Sequence, residues 1–219
     1  NVLEIGSGTG YNSSIISKMV KHITTIEHIE ALAMEAKKIF DVLKFKKILG
    51  NNITIIYGDG SKGYLKNAPY DRIIFTAGNY GKVPDGVDKQ LKEGGILIIP
   101  IRLFRDGKRV EHIYKYVKKR GKIEKFKHSG VHFVPLKSSN VPLKDITMSP
   151  KDFSGIVNGR DLNELYSHFI IGNKRCQLYK MMENQKILPK TLEAFKSVPR
   201  EMFMPFLYIE KTYNNRPHP

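Results

Sequence analysis

The feature that most constrains this chain is a glycine-rich turn between an apolar strand and an amphipathic helix. Val2–Ile5 predicts a short buried strand, and Gly6-Ser7-Gly8-Thr9-Gly10 follows it directly. The apolar side chains that come next recur at the spacing of a helix. Glycine lets the backbone approach a ligand where a Cβ would collide, and the first amides of a helix point to the same place. The turn therefore predicts a ligand site at the end of a first β-strand.

Strand and helix patterns alternate through residues 1–100. The further predicted strands are Ile23–Ile26, Ile53–Tyr57, Arg72–Phe75 and Ile96–Pro100. The further predicted helices are Glu30–Leu43 and Val83–Leu91. Such alternation is typical of a parallel sheet covered by helices on both faces. The expected fold class is therefore α/β, a Rossmann-like, mostly parallel and doubly wound sheet.

A basic hairpin is predicted after this sheet. Glu111–Lys118 and Ile123–Lys127 alternate lysine with apolar residues and turn at Arg120-Gly121. The whole chain carries 37 Lys and Arg against 21 Asp and Glu, a net charge of +16. Such a charge favours contact with phosphate backbones. The hairpin is interpreted either as a solvated basic face or as a platform for nucleic acid.

Beyond residue 136 the composition and the periodicity of the chain change. Residues 137–160 are rich in Ser, Pro and Gly without a period, which predicts a linker or a long surface loop. Helical spacing then runs from Leu162 to Phe206. The expected organisation is a core domain over residues 1–136, the linker over 137–160, and a small helical subdomain over 161–219 that packs on the core.

Several classes of protein do not fit the composition. Cys176 is the single cysteine, so no intramolecular disulfide forms, which fits a reducing, cytoplasmic location. No apolar run reaches the ~20 residues of a membrane span. No basic and apolar leader opens the chain. Seven histidines lie scattered without the spacing of metal ligands, so neither a membrane partner nor a metal site is predicted.

Acidic residues stand at or just after the ends of the predicted strands. Glu27 follows the second strand, and Asp59 lies between two glycines after the third. An acid after the second strand can accept hydrogen bonds from ribose hydroxyls. Tyr11 stands where a dinucleotide-binding turn requires a further glycine. With Glu4 before the turn, the pattern favours S-adenosylmethionine over a nicotinamide cofactor.

A series of longer motifs resembles the protein-L-isoaspartate O-methyltransferase family. The motifs follow the family's order over most of residues 1–136: Gly58-Asp59-Gly60-Ser61-Lys62-Gly63-Tyr64, Ala68-Pro69-Tyr70-Asp71-Arg72-Ile73-Ile74, Thr76-Ala77-Gly78, Pro84, Gln90-Leu91-Lys92-Glu93-Gly94-Gly95, Ile98-Ile99-Pro100 and Gly130-Val131-His132-Phe133-Val134-Pro135-Leu136. The resemblance implies methyl transfer from S-adenosylmethionine to the α-carboxylate of isoaspartyl residues, which initiates repair of damaged proteins.

The resemblance also implies which residues form the site. Those expected to contact the cofactor are Gly6, Ser7, Gly8, Glu27, His28, Asp59 and Gly60, and the turn pattern adds Glu4 and Gly10. The backbone of Val131, His132 and Phe133 is expected to pair with the substrate peptide as an added strand. No catalytic acid–base pair is predicted, because a carboxylate with a pKa near ~4 is already ionised at neutral pH.

Motifs of the carboxyl-terminal part match the family in a different order. They resemble the helices that precede the glycine turn in the family: Leu192-Glu193-Ala194-Phe195, Val198-Pro199-Arg200-Glu201-Met202-Phe203-Met204-Pro205, Tyr213 and Arg216-Pro217. The family's hydroxyl-bearing segment, which follows an Arg-Pro of this kind, is not found here. The chain is therefore expected to be permuted, incomplete, or numbered out of its native order.

Alternatives to this function stay open. Net charge suggests a nucleic-acid methyltransferase, and a small-molecule S-adenosylmethionine-dependent enzyme is a related alternative. Thr76-Ala77-Gly78-Asn79-Tyr80 stands where an amino-methylating enzyme usually carries Asn or Asp before Pro-Pro and an aromatic residue. The other alternative is a catalytically incomplete fragment that binds the cofactor. Oligomeric state and peptide preference are not predicted.

Overall fold

The computed structural model describes residues 1–139, 141–146, 156–157, 160–161, 182–183, 185 and 187–203. Its strands are β1 (Val2–Ile5), β2 (Ile23–Glu27), β3 (Ile53–Tyr57), β4 (Tyr70–Phe75), β5 (Asn79–Tyr80), β6 (Leu91–Arg105), β7 (Lys108–Lys119), β8 (Lys122–Gly130), β9 (Lys144–Asp145), β10 (Ile156–Val157) and β11 (Arg160–Asp161). Its α-helices of a full turn or more are α1 (Tyr11–Ser17), α2 (Glu30–Phe45) and α3 (Pro189–Ser197).

One mixed sheet organises the described residues, in the order β8-β7-β6-β4-β1-β2-β3-β9, with β5 paired to β6. Strand β1 pairs in parallel with β2 on one edge and with β4 on the other. In chain order, β2 and β3 therefore lie on one side of β1, and β4 lies on the opposite side of β1. This reversal of strand order creates a crevice at the carboxyl ends of β1 and β4. The predicted α/β, mostly parallel fold class is confirmed.

The three strands β6, β7 and β8 form an antiparallel meander at one side of the sheet. Two-residue turns connect them, and both residues of each turn have positive φ: 51° and 70° at Asp106-Gly107, and again 51° and 70° at Arg120-Gly121. Turns of this hand match the twist of paired strands. The predicted basic hairpin and its turn at Arg120-Gly121 are confirmed.

The two faces of the sheet are covered differently. Helices α1, α2 and α3 share one core cluster on one face, which includes Ile15, Phe40 and Ala194. The other cluster contains alternate residues of the same strands, and among the described residues 3-10 turns and loops cover it. The predicted helix Val83–Leu91 is wrong: only a 3-10 turn over Asp88–Gln90 forms there. Pro84 and Gly86, which has φ 83°, leave too few residues for an α-helix.

Part of the predicted linker joins the sheet. Strand β9 pairs antiparallel with the outer edge of β3, so that Ile56 lies opposite Asp145. Helix α3 and a 3-10 turn over Arg200–Phe203 lie against α1 and α2, where Val198 and Met202 are fully buried. Much of the predicted helical segment lies outside the described residues, so the domain boundaries stay a prediction. No helix of the described residues is long and apolar enough to cross a bilayer.

The packing of the carboxyl-terminal segment is testable by truncation of one buried side chain. Met202→Ala removes a side chain that is 0% exposed in the cluster shared with α1 and α2. We expect the free energy of unfolding, measured with urea, to fall by about 2–5 kcal/mol. Leu188→Ala is the control, because Leu188 is 73% exposed in the same segment. Equal midpoints for Met202→Ala and the parent protein would show that this segment does not stabilise the core.

Candidate functional site

A cavity of about 700 Å³ lies at the carboxyl ends of the four central strands. The turn after β1 contributes Gly6, Ser7 and Gly8, and the end of β2 contributes Glu27 and His28. Residues after the other two strands complete this part of the wall: Gly58, Gly60, Thr76 and Ala77. Six of the predicted site residues therefore share one cavity: Gly6, Ser7, Gly8, Glu27, His28 and Gly60.

Backbone hydrogen bonds hold the strand ends together. The Gly6 amide donates to the Ile26 carbonyl at 2.8 Å, and the Thr76 amide donates to the Ile5 carbonyl at 3.0 Å. Gly6 has φ 100°, and a Cβ there would collide with the Thr76 hydroxyl. A Cβ on Gly60 would lie 2.9 Å from Ile5 Cγ2. Gly6 thus lets the turn after β1 approach Thr76, and Gly60 lets the turn after β3 approach the end of β1; a larger residue at either position would prevent this.

Glu27 is the acidic group that reaches the cavity. Its side chain is 7% exposed, and its two oxygens accept from the Gly8 amide at 2.7 Å and the Ile29 amide at 2.9 Å. Two carboxylate oxygens offer about four acceptor positions, so two such bonds leave capacity for further donors. A ligand with paired hydroxyls at this position would meet a fixed anionic acceptor.

Asp59 lies next to the cavity without lining it. Its carboxylate accepts from the Ser61 amide at 2.8 Å and the Ser139 amide at 2.8 Å, and from the Ser138 hydroxyl at 3.3 Å. Burial favours a higher pKa for this carboxyl, but the hydrogen bonds from Ser61, Ser139 and Ser138 outweigh it and hold the pKa below its ordinary value. Asp59 therefore joins the turn after β3 to residues 138–139.

Glu4 and Gly10 shape the site from outside it. Glu4 is 0% exposed and accepts hydrogen bonds from Ser13, Asn12 and Thr25, so it ties β1 to α1 and β2. Burial raises the pKa of the Glu4 carboxyl, against the effect of those hydrogen bonds. Gly10 has φ 87°, and a Cβ there would lie 2.7 Å from the Phe40 ring. Neither residue lines the cavity, so the geometry favours a positioning role over the predicted direct contact.

Two polar atoms of the cavity wall have no hydrogen-bond partner among the described residues. Within the described residues, the buried side-chain atoms without a hydrogen bond are Ser7 Oγ, His28 Nδ1 and Glu111 Oε1. The first two belong to residues that line the cavity. Because an unpaired buried polar atom costs free energy, its usual explanation is a ligand, an ion or an ordered water. The described residues hold no cluster of three or more potential metal-binding side chains.

The predicted peptide-binding segment borders the cavity without forming its wall. Val131, His132 and Phe133 lie just before Val134–Lys137, which do line the cavity. The Gly78 amide donates to the Val134 carbonyl at 2.8 Å, and the Leu136 amide donates back to the Gly78 carbonyl at 2.9 Å. The cofactor and peptide positions predicted from sequence are therefore adjacent along one stretch of backbone.

Sequence reasoning missed several wall residues. The cavity is also lined by Tyr11 and Asn12 in the first turn of α1, by Ile29 just before α2, and by Leu32 in the first turn of α2. Tyr11 also contacts the carboxyl-terminal segment: its ring centroid lies 5.5 Å from that of Phe203. The available signal for this part of the wall is the aromatic residue directly after the glycine turn.

Comparison with known proteins gives a consistent result. The family model for protein-L-isoaspartate(D-aspartate) O-methyltransferase matches residues 1–141. The protein-L-isoaspartate O-methyltransferase of Dictyoglomus turgidum is 41% identical over 136 residues, which are 62% of this chain and 57% of that protein. That of Pyrococcus abyssi is 44% identical over 137 residues, which are 62% of this chain and 60% of that protein. The chain therefore spans about three fifths of the length of these curated relatives.

Solved structures give the same fold. A protein-L-isoaspartate O-methyltransferase aligns with a TM-score of 0.52 and 31% identity, over 63% of this chain and 42% of the other. A Plasmodium falciparum protein in complex with S-adenosyl-L-homocysteine aligns with a TM-score of 0.52 and 24% identity, over 63% of this chain and 66% of the other. At that identity the second match supports the fold alone.

Asp59 should make the stability of this region depend on pH. A carboxyl whose pKa lies below its ordinary value of 3.8 stabilises the folded state above that value, and this contribution is lost as pH falls through the folded-state pKa. We expect Asp59→Asn to lower the free energy of unfolding by about 1 kcal/mol at neutral pH. The difference from the parent protein should shrink below about pH 4.

Urea unfolding between about pH 6 and about pH 3 measures this effect. Asp85→Asn is the matched control, because the Asp85 side chain is 87% exposed and pairs with Lys82 at the surface. A difference between Asp59→Asn and the parent that stays constant over this range would contradict the assignment of the bonds from Ser61 and Ser139.

Proposed function

The chain belongs to the protein-L-isoaspartate(D-aspartate) O-methyltransferase family, and on that premise we propose that it methylates damaged proteins. The proposed reaction transfers a methyl group from S-adenosylmethionine to the α-carboxylate of an L-isoaspartyl residue, the first step of repair. The partners would be proteins or peptides that contain isoaspartate. A cytoplasmic location belongs to the same proposal, and the single cysteine of the chain supports it.

One observation carries this proposal: a cavity at the point where strand order reverses has an anionic acceptor and two unpaired polar atoms in its wall. The acceptor is Glu27, and the unpaired atoms are Ser7 Oγ and His28 Nδ1. A nucleoside presents ribose hydroxyls as donors and ring nitrogens as acceptors, which suit these groups. The residues present therefore fit S-adenosylmethionine.

The proposed cofactor contacts follow from the position of each residue. The Glu27 carboxylate would accept from the ribose hydroxyls, and His28 would lie beside the same sugar. The backbone of Gly6, Ser7 and Gly8 would face the amino-acid end, because this turn lies at the end of β1. Gly60 would border the adenine ring, and Asp59, which does not line the cavity, would act indirectly because it holds the turn that contains Gly60. Glu4 and Gly10 would act indirectly, because they fix the turn that makes these contacts.

The chemistry requires alignment more than proton transfer. When bound, S-adenosylmethionine supplies a methyl group activated by its sulfonium. The substrate carboxylate is ionised at neutral pH, so no side chain has to remove a proton before its oxygen forms the new bond to carbon. Holding the oxygen, the methyl carbon and the sulfur in line can contribute roughly 7–11 kcal/mol. The role of this chain would be to bind, orient and exclude water.

The peptide would dock on the backbone of Val131, His132 and Phe133. Main-chain pairing accepts many different sequences, which suits an enzyme that acts on damage at unpredictable positions. The position next to Val134–Lys137, in the cavity wall, supports this assignment because methyl donor and acceptor must meet.

The binding role of Glu27 is testable by calorimetry with S-adenosylhomocysteine. We expect Glu27→Ala to weaken binding about 10- to 100-fold, because it removes a charged acceptor of two ribose hydroxyls. Methyl incorporation into a synthetic isoaspartyl peptide should fall in parallel at a fixed cofactor concentration. The same peptide with normal aspartate should accept no methyl groups from the parent protein.

Glu30→Ala is the matched control for Glu27→Ala. Glu30 is the exposed first residue of α2 and does not line the cavity, so binding should not change. Circular dichroism on each variant establishes that it is folded. Unaltered affinity in a folded Glu27→Ala variant would refute the site, and cofactor binding without methylation of the isoaspartyl peptide would refute the proposed activity.

A further inference from the structure

We propose that a buried ion pair between Arg102 and Glu111 positions the backbone of residues 131–134 as the docking strand for the substrate peptide. This inference rests on the proposed function, and it concerns two residues outside the predicted site. Both act through the segment that they hold, so they are positioning residues.

The pair lies inside the meander. Arg102 on β6 and Glu111 on β7 are direct partners in the strand register. Arg102 Nε donates to Glu111 Oε2 at 3.1 Å, and the two side chains are 1% and 0% exposed. Burial lowers the pKa of an arginine, but the hydrogen bonds and charge interactions with Glu111 and Tyr80 together outweigh it and raise the pKa of Arg102, so the guanidinium stays charged. Apolar side chains of similar volume often stabilise such a position as well as an ion pair does, so stability alone does not explain the Arg102–Glu111 pair.

The pair is connected to the proposed docking segment at both ends. Arg102 Nη2 donates to the Phe133 carbonyl. The backbone carbonyl of Glu111 accepts from the Val131 amide at 3.0 Å. The guanidinium fork therefore holds the strand register and the segment at once, which a single point charge could not do with the same geometry.

Gly78, in the loop between β4 and β5, completes the arrangement. A Cβ on Gly78 would collide with Glu111 Oε1, so glycine is required where the carboxylate lies. The Gly78 amide donates to the Val134 carbonyl at 2.8 Å. Tyr80 covers the guanidinium, with its ring centroid 5.6 Å from Arg102 Cζ. The segment is thus fixed at Val131, Phe133 and Val134.

The groups left between these anchors suit an added strand. Within the described part of the chain, the Val131 carbonyl, both backbone groups of His132 and the Phe133 amide take part in no backbone or side-chain hydrogen bond. His132 is exposed, and Val131 and Phe133 are half-buried. An extended peptide can pair with such a row of free donors and acceptors. The ion pair would fix their direction before the peptide arrives, which reduces the ordering cost of binding.

The test replaces both charges together. Arg102→Leu alone would leave the buried Glu111 carboxylate without a partner. The informative variant is therefore Arg102→Leu combined with Glu111→Leu, which removes the pair without leaving an unpaired charge. We expect the KM for an isoaspartyl peptide to rise about tenfold, because the bond to the Phe133 carbonyl is lost. The kcat at saturating peptide and the Kd for S-adenosylhomocysteine should change less than about threefold.

Arg102→Lys is the second variant, for use if the double variant does not fold. It keeps the buried charge pair but loses the planar fork, and it should raise the peptide KM in the same direction. Lys119→Leu is the control: Lys119 lies at the end of β7, pairs with Glu124 at 3.9 Å, and has a side chain that is 63% exposed. Its kinetics should match those of the parent protein.

Two outcomes separate this inference from the proposed function. If the parent protein methylates the peptide and the folded variants keep its KM, the pair serves stability alone and the inference is wrong. If the parent protein binds no S-adenosylhomocysteine or does not methylate the peptide, the proposed function fails first. A peptide KM that rises while kcat and cofactor affinity are retained would support the positioning role.

Discussion

The parallel hydrogen bonding of β1 to both of its neighbours is the constraint on which the site depends. Because β1 is paired on both edges, its last residues cannot move away from the ends of β2 and β4. Gly6 is held there by the Ile26 carbonyl, and its positive φ turns the chain sharply into α1. The buried Glu4 carboxylate also holds β1 next to α1 and β2, because it accepts hydrogen bonds from both elements. A wall for a small ligand follows from the sheet geometry and these contacts together.

The two halves of the sheet contribute different parts of the proposed enzyme. Strands β1, β2 and β3 and their helices form the cofactor side, where Glu27 places a negative charge in a chain of net charge +16. The meander of β6, β7 and β8 forms the peptide side, where the Arg102–Glu111 pair holds residues 131–134. Val134–Lys137 belong to both, because they continue from the docking segment into the cavity wall. Methyl donor and acceptor would meet at this junction.

The carboxyl-terminal segment, which is far from α1 and α2 in the sequence, packs against both helices. Its helix α3 and the following turn complete the cluster around α1 and α2. Phe203 and Phe195 contact the Tyr11 ring, and Tyr11 lines the cavity. The stability of the segment and the shape of the cofactor wall are therefore physically linked.

The sequence alone predicted β1 to β4, the central part of β6, the β7–β8 hairpin, the glycine turn and the family, because period, glycine placement and turn chemistry are local properties. It did not predict β5 or β9. It also indicated Glu27, the acidic residue at the end of the strand that comes after the glycine turn. Three contacts appear only in the folded chain: Glu4 faces α1 instead of the cavity, Asp59 accepts from the Ser139 amide, and Arg102 bonds to both Glu111 and Phe133. Those contacts join residues far apart in the chain, and a side chain's partner across a sheet depends on strand order and register, which no local pattern encodes.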